Sequence, residues 1–138
     1  MKLTDARTGI EVIPRDECYE LLRNEVIGRL VIVHGDAPHV FPVNCAIDGE
    51  DIVFRTDVGS KLDVGPRAPA CFEIDHFDPL TRTGWDVVVS GRLEEITERD
   101  GERYRRVVSL PIDPWAEGER THWMRLVPRD VIGRRVGR

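Results

Sequence analysis

A chain of 138 residues is long enough for one hydrophobic core and short for two domains. Its 41% hydrophobic and 33% charged residues, with 12 Gly and 9 Pro, describe ordinary globular composition and exclude disordered, collagenous and membrane classes. Acidic residues outnumber basic ones 25 to 20, and the net charge of −5 argues against a general nucleic-acid binder. Lys2 and Lys61 are the sole lysines among the 20 basic residues, which makes the internal Lys61 conspicuous. Residues 1–14 contain no apolar h-region and no small-residue cleavage site, and no stretch approaches the roughly 20 apolar residues that span a bilayer. A cytoplasmic location, away from membranes, is expected. Cys18, Cys45 and Cys71 are far apart and form no C-x-x-C pair, so they read as core thiols.

After a polar lead-in of about 13 residues, Pro14, Asp16 and Glu17 suit a helix start, while Cys18, Leu21 and Leu22 recur on one helical face. Gly28 is expected to end that helix. Residues 29–34 then read as a strand, with a turn at 34–38. In 39–47, Phe41, Val43, Cys45 and Ile47 share the face that looks like core, and Pro42 in mid-strand places the segment at an edge, at a bulge or beside something other than another strand. Asp48-Gly49 turns the chain into a strand over 51–56. Residues 57–69 carry several breakers, with a possible short helix from Ser60. A half-buried strand follows at 70–77, then a long strand at 85–96 whose Gly91 marks a bulge or bend. Tyr104, Val107 and Val108 predict a helix packed on one side and stopped before Pro111. Residues 122–127 and 130–136 read as two last strands. Six or seven strands joined mostly by hairpins, with two small helices, predict a mainly β fold: an antiparallel barrel forming a single domain over 1–138.

Several familiar sites are missing. There is no G-x-G-x-x-G, H-E-x-x-H or G-x-S-x-G, and Gly59-Ser60-Lys61 cannot end a Walker loop because Phe54 stands where the first glycine belongs. His34, His39, His76 and His122 show no ligand spacing, so no metal site is expected. Glu73 and Asp75 share a strand face but read better as solvated or contact carboxylates than as a hydrolase pair. The informative stretch is 55–62, where Arg55, Thr56, Gly59, Ser60 and Lys61 bring cations, hydroxyls and free amides to a strand end and helix start, as a terminal phosphate requires. A solvated loop with two surface cations explains the same residues equally well. Upstream, Pro42-Val43-Asn44 leaves backbone groups beside an amide that could meet the polar edge of a flat heterocycle, or Asn44 could simply be satisfied locally.

The segments 40–44, 48–49, 52–56, 59–62, 72–75 and 84–91 occur in the order and spacing of the pyridoxamine 5′-phosphate oxidase-like flavoproteins, and the chain resembles that family over roughly residues 14–135. It looks closest to the small branch containing nitroimidazole reductase-like proteins. The resemblance implies an antiparallel split β-barrel of the FMN-binding type with two or three short helices, and a homodimer with FMN at its interface. It further implies that Pro42, Val43 and Asn44 line the isoalloxazine, that Arg55, Thr56, Ser60 and Lys61, with Leu62 beside them, hold the phosphate, and that Trp85 approaches from the partner subunit with Trp115 and Arg120 as cover. The implied activity is an FMN-dependent oxidoreductase passing electrons from NADH or NADPH to a small acceptor such as a nitro compound, quinone or enone, with no general acid evident in the sequence. A carrier or sensor module without catalysis, or a deazaflavin-dependent reductase, are the alternatives. The closing segments resemble the family's, but the longer C-terminus of the full oxidases is missing, so pyridoxamine phosphate oxidation is not expected.

Overall fold

The computed structural model describes residues 3–5, 7–56, 68–115 and 122–137. In chain order they form β1 (Leu3–Thr4), β2 (Glu11–Ile13), α1 (Arg15–Arg23), β3 (Ile27–His34), β4 (Ala37–Asp48), β5 (Asp51–Thr56), β6 (Pro69–Asp78), β7 (Thr83–Ile96), a 3-10 turn (Glu98–Asp100), α2 (Glu102–Val108) and β8 (His122–Val136). All ladders are antiparallel, and the order β8-β5-β4-β3-β6-β7 returns to β8, closing a six-stranded barrel. This is the expected mainly β, antiparallel barrel with short helices.

The split in the barrel comes from β8. One edge of this strand pairs with β7 almost throughout. Its other edge is divided: 122–126 pair with β5, whereas 133–135 pair with β2. The predicted break between two closing strands is absent, because β8 runs through Pro128 as one strand. The mismatch is absorbed by a register shift at Ser90/Gly91 on β7, where Gly91 sits against the Val127 carbonyl with no room for a side chain. The bulge expected at Gly91 is therefore present. The lead-in, read as polar, contributes β1 and β2.

Short-range chemistry accounts for the hairpins. Gly35 and Asp36 both have positive φ, 59° and 64°, the requirement of a two-residue turn whose twist matches its strands. Helix α1 starts after Pro14 and buries Cys18, Tyr19 and Leu22 over one end of the barrel. It ends at Arg23 with Asn24 as its cap, so Gly28 does not terminate it. Gly28 lies within β3, where the Phe72 ring occupies the space a side chain would take.

Strand alternation separates two cores. Leu30, Val43, Cys45, Ile52, Phe54 and Phe72 belong to the barrel interior. Val53, Ile96, Val107 and Ile112 form a second cluster outside it, against which Ala46, Tyr104 and Trp123 pack. Val107 is the buried residue of α2, as its spacing predicts, but Val108 is exposed because the helix turns it away from the sheet.

Candidate functional site

The β4–β5 ladder runs from Asp48↔Asp51 to Cys45↔Phe54 and stops there. Beyond that point β4 continues along β3 and β5 continues along β8, so the two strands part and open a corner. By register, Asn44 and Arg55 are the next facing positions at this corner, followed by Val43 and Thr56. Pro42 is accommodated here because, among the described residues, residues 37–44 of β4 pair on one edge, with β3.

The alternation of β5 fixes which way each side chain leaves. Phe54 belongs to the barrel core and Val53 to the outer cluster. Thr56 therefore turns inward, where it is 1% exposed, and Arg55 turns outward. The Arg55 guanidinium lies 5.0 Å from the centre of the Trp123 ring on β8, a cation–π contact that holds the charge over the sheet. Trp123 belongs to this corner, and its signal in the sequence is the strand register that sets it opposite Arg55. Next along β8, His122 Nδ1 stands 2.7 Å from the Glu95 carboxylate.

Asn44 is committed to the main chain. Its Nδ2 donates to the Val26 carbonyl at 3.2 Å, and its Oδ1 accepts from the Trp115 amide at 2.9 Å. A cavity of about 130 Å³ lies beneath this bridge, between Val26, Cys45, Pro111 and Ile112. Val43 points into the core at 7% exposure, leaving its backbone for any ligand, whereas Pro42 is exposed. Trp115 is 66% exposed. The corner thus gathers Pro42, Val43, Asn44, Arg55, Thr56 and Trp115, while Ser60, Lys61, Leu62 and Arg120 lie outside the described residues.

Trp85 lies on β7. It pairs with Arg135, twelve positions along β8 from the Trp123 that pairs with Arg55. Along β8 this is on the order of 40 Å of strand contour at about 3.3 Å per residue, but across the sheet Trp85 stands within a few side chains of Asn44, because the His76 beside it reaches Glu25, the neighbour of the Val26 that binds Asn44. Beside Trp85 lies His76, which the sequence offers as a substrate-facing or a structural histidine. The His76 ring lies 5.1 Å from the indole, with His76 Nε2 2.7 Å from a Glu25 carboxylate oxygen. A cleft of about 350 Å³ opens between Trp85, Glu11, Thr83 and Arg135.

The remaining reactive groups are restrained. Arg29 donates to both Glu73 and Asp75, at 2.6 and 2.7 Å, so these carboxylates are ion-paired and not poised as an acid–base couple. Burial pushes the Glu73 carboxyl above the usual carboxylate range despite the pull of Arg29. Burial pushes the Cys45 thiol up to about 12 and raises Cys18 and Cys71 as well, so these cysteines are thiols, not nucleophilic thiolates, at neutral pH.

A family model described as pyridoxamine 5′-phosphate oxidase matches residues 14–135, from the start of α1 to near the end of β8. The chain belongs to the pyridoxamine 5′-phosphate oxidase family. An uncharacterized protein of Mycobacterium tuberculosis is 31% identical over 95% of this chain and 88% of its own length. Among solved structures, the FAD binding protein from Mycobacterium smegmatis superposes with a TM-score of 0.66 at 27% identity, over 92% of this chain and 98% of that one. A conserved protein of unknown function from Corynebacterium diphtheriae gives 0.75 at 29% identity, over 91% and 96%. The family match covers the whole corner and Trp85 alike, which makes both of them parts of the family's barrel and not local additions.

Proposed function

We propose that this chain binds a flavin at the corner between β4 and β5 and works as an oxidoreductase, carrying electrons from NADH or NADPH to a small acceptor such as a nitro compound, quinone or enone. The observation that carries the reading is the parting of β4 and β5 after Cys45 and Phe54, which among the described residues leaves the second edge of 42–44 without a strand partner beside Arg55 and Thr56 in a barrel of this family. A flavin phosphate needs a permanent cation and nearby hydroxyl or amide donors. Arg55 provides the cation and Thr56 the adjacent hydroxyl. The two side chains leave opposite faces of β5, so Arg55 meets the phosphate from the outer face and Thr56 backs the strand end from the inner one, just before 57–67 begins and Ser60, Lys61 and Leu62 follow in sequence.

A bound flavin would supply reversible two-electron chemistry, and the protein would supply orientation, charge and exclusion of water. In this reading Arg55 anchors the anionic end, and the 42–44 backbone offers amide and carbonyl groups to the ring edge. A homodimer with the flavin at its interface, Trp85 approaching from the partner subunit, is part of this proposal. FMN is the flavin we assign. FAD is the second reading, favoured by the Mycobacterium smegmatis relative whose name states that it binds FAD. The cytoplasm, where reduced nicotinamide nucleotides are available, is the setting this activity requires. Among the described residues no helix is long and apolar enough to cross a membrane.

The test is to purify the protein, release any bound yellow chromophore by denaturation and identify it by mass spectrometry. NADH or NADPH added without oxygen should bleach it. FAD in place of FMN would select the second reading, a deazaflavin would replace both, and flavin that nicotinamide nucleotides do not reduce would favour a carrier or sensor.

A further inference from the structure

We propose that Asn44 is a positioning residue that ties the segment after α2 to β4, so that Trp115 becomes an aromatic cover over the β4–β5 corner of its own chain. The proposal rests on the flavin reading for what is covered, but not for the tie itself. Both polar ends of the Asn44 side chain are engaged, Nδ2 with the Val26 carbonyl and Oδ1 with the Trp115 amide. An amide side chain spent in this way cannot also present those atoms to a heterocycle without giving up one of them. What it does instead is fix the main chain of residue 115 directly beside β4.

The segment is held at a second point. Ile112 is 7% exposed within the outer cluster, its amide donates to the Leu110 carbonyl at 2.8 Å, and Pro111 and Pro114 restrict the backbone on either side. Two anchors three residues apart leave little freedom to the peptide that carries Trp115. The residue is nonetheless 66% exposed. A large aromatic side chain on a tied main chain, with most of its surface facing solvent, is suited to stacking on a flat ligand, because the backbone part of the ordering cost is met before binding. Asn44 and Arg55 are the facing positions where β4 and β5 part, so the tie places Trp115 at the same opening that Arg55 serves. Alternation puts Asn44 and Arg55 on one outward face, with Trp123 beneath Arg55.

The experiment has two arms. In the first, hydrogen exchange of the Trp115 amide is followed in the full-length protein without added ligand. Asn44→Ala should speed it by about tenfold, the equivalent of one lost hydrogen bond, and Asn44→Asp, which keeps an oxygen acceptor, should restore part of the protection. Unchanged exchange in Asn44→Ala would overturn the tie. In the second, a Trp85→Phe/Trp123→Phe variant leaves Trp115 as the one tryptophan, and FMN is titrated while calorimetry follows binding. Quenching of Trp115 emission that weakens when Asn44→Ala is added supports the cover. Full FMN binding with unaltered Trp115 emission would overturn it. If neither FMN nor FAD binds the unaltered protein, the flavin reading fails and the cover falls with it, while the exchange arm still decides the tie.

Discussion

Replacing Gly28 by alanine should destabilise the barrel by about 1–2 kcal/mol. A methyl group at this position falls on Cζ and both Cε atoms of Phe72, which is fully buried and pairs with Leu30 across β3 and β6. The ring end of this fully buried side chain must retreat by roughly an ångström, an overpacking that costs about 1–3 kcal/mol. Opposing this, alanine restricts the unfolded chain more than glycine and returns about 0.4–1 kcal/mol. The clash wins. In urea, with a slope of about 2 kcal/mol per molar, the midpoint should fall by roughly 0.5–1 M at unchanged slope. A Phe72→Leu change should soften the effect, so that the double variant is less destabilised than the sum of the singles, with a coupling of at least about 0.5 kcal/mol. An alanine variant with a midpoint at or above that of the unaltered protein, or a strictly additive double variant, would refute the packing argument.

Arg55→Ala should weaken flavin binding by about 1.5–3 kcal/mol, the loss expected for a charged hydrogen bond to phosphate, as read by fluorescence titration; an unchanged affinity would remove Arg55 from the site. Arg106 holds the Asp48 carboxyl below its ordinary value of 3.8 through a 2.7 Å hydrogen bond. A depressed carboxylate stabilises the fold above that value and loses the contribution as the pH falls through its folded-state value, so Arg106→Gln should differ from the unaltered protein at pH 7 and converge with it in acid. The difference should be small because Arg106 is solvent-exposed, and a gap that persists at the acid end would contradict the pairing. Alkylation of the native protein at pH 8 should label the half-buried Cys71 before Cys18 and Cys45, since both of those are buried. Mass mapping that finds Cys45 modified first would show that the barrel opens more readily than its packing implies.

The hairpins were legible because their chemistry is local. Gly35 with Asp36, and Gly49 at φ 63°, announce turns without reference to the rest of the fold. The core face of β4 was legible for the same reason, since Val43 and Cys45 alternate with Pro42 and Asn44. Gly28 misled because a glycine after a helix is also what a strand needs beneath a large aromatic ring, and Phe72 lies 44 residues away. Pro128 misled similarly: a proline reads as a strand break until the Gly91 bulge beside it is known. At the corner, the residue types at Arg55 and Thr56 were legible, but their exit from opposite faces of β5 depends on register. The Asn44 bridge to Val26 and Trp115 joins positions 18 and 71 residues away, and no spacing rule predicts it.

The central claim is that this barrel holds a flavin at the β4–β5 corner. Its most direct test is the flavin content of the purified protein and of its Arg55→Ala variant, with both chromophores released and weighed by mass spectrometry. One flavin per chain is predicted for the unaltered protein, with the variant depleted at equal folded yield. A colourless protein whose melting temperature is unmoved by added FMN or FAD would contradict the account.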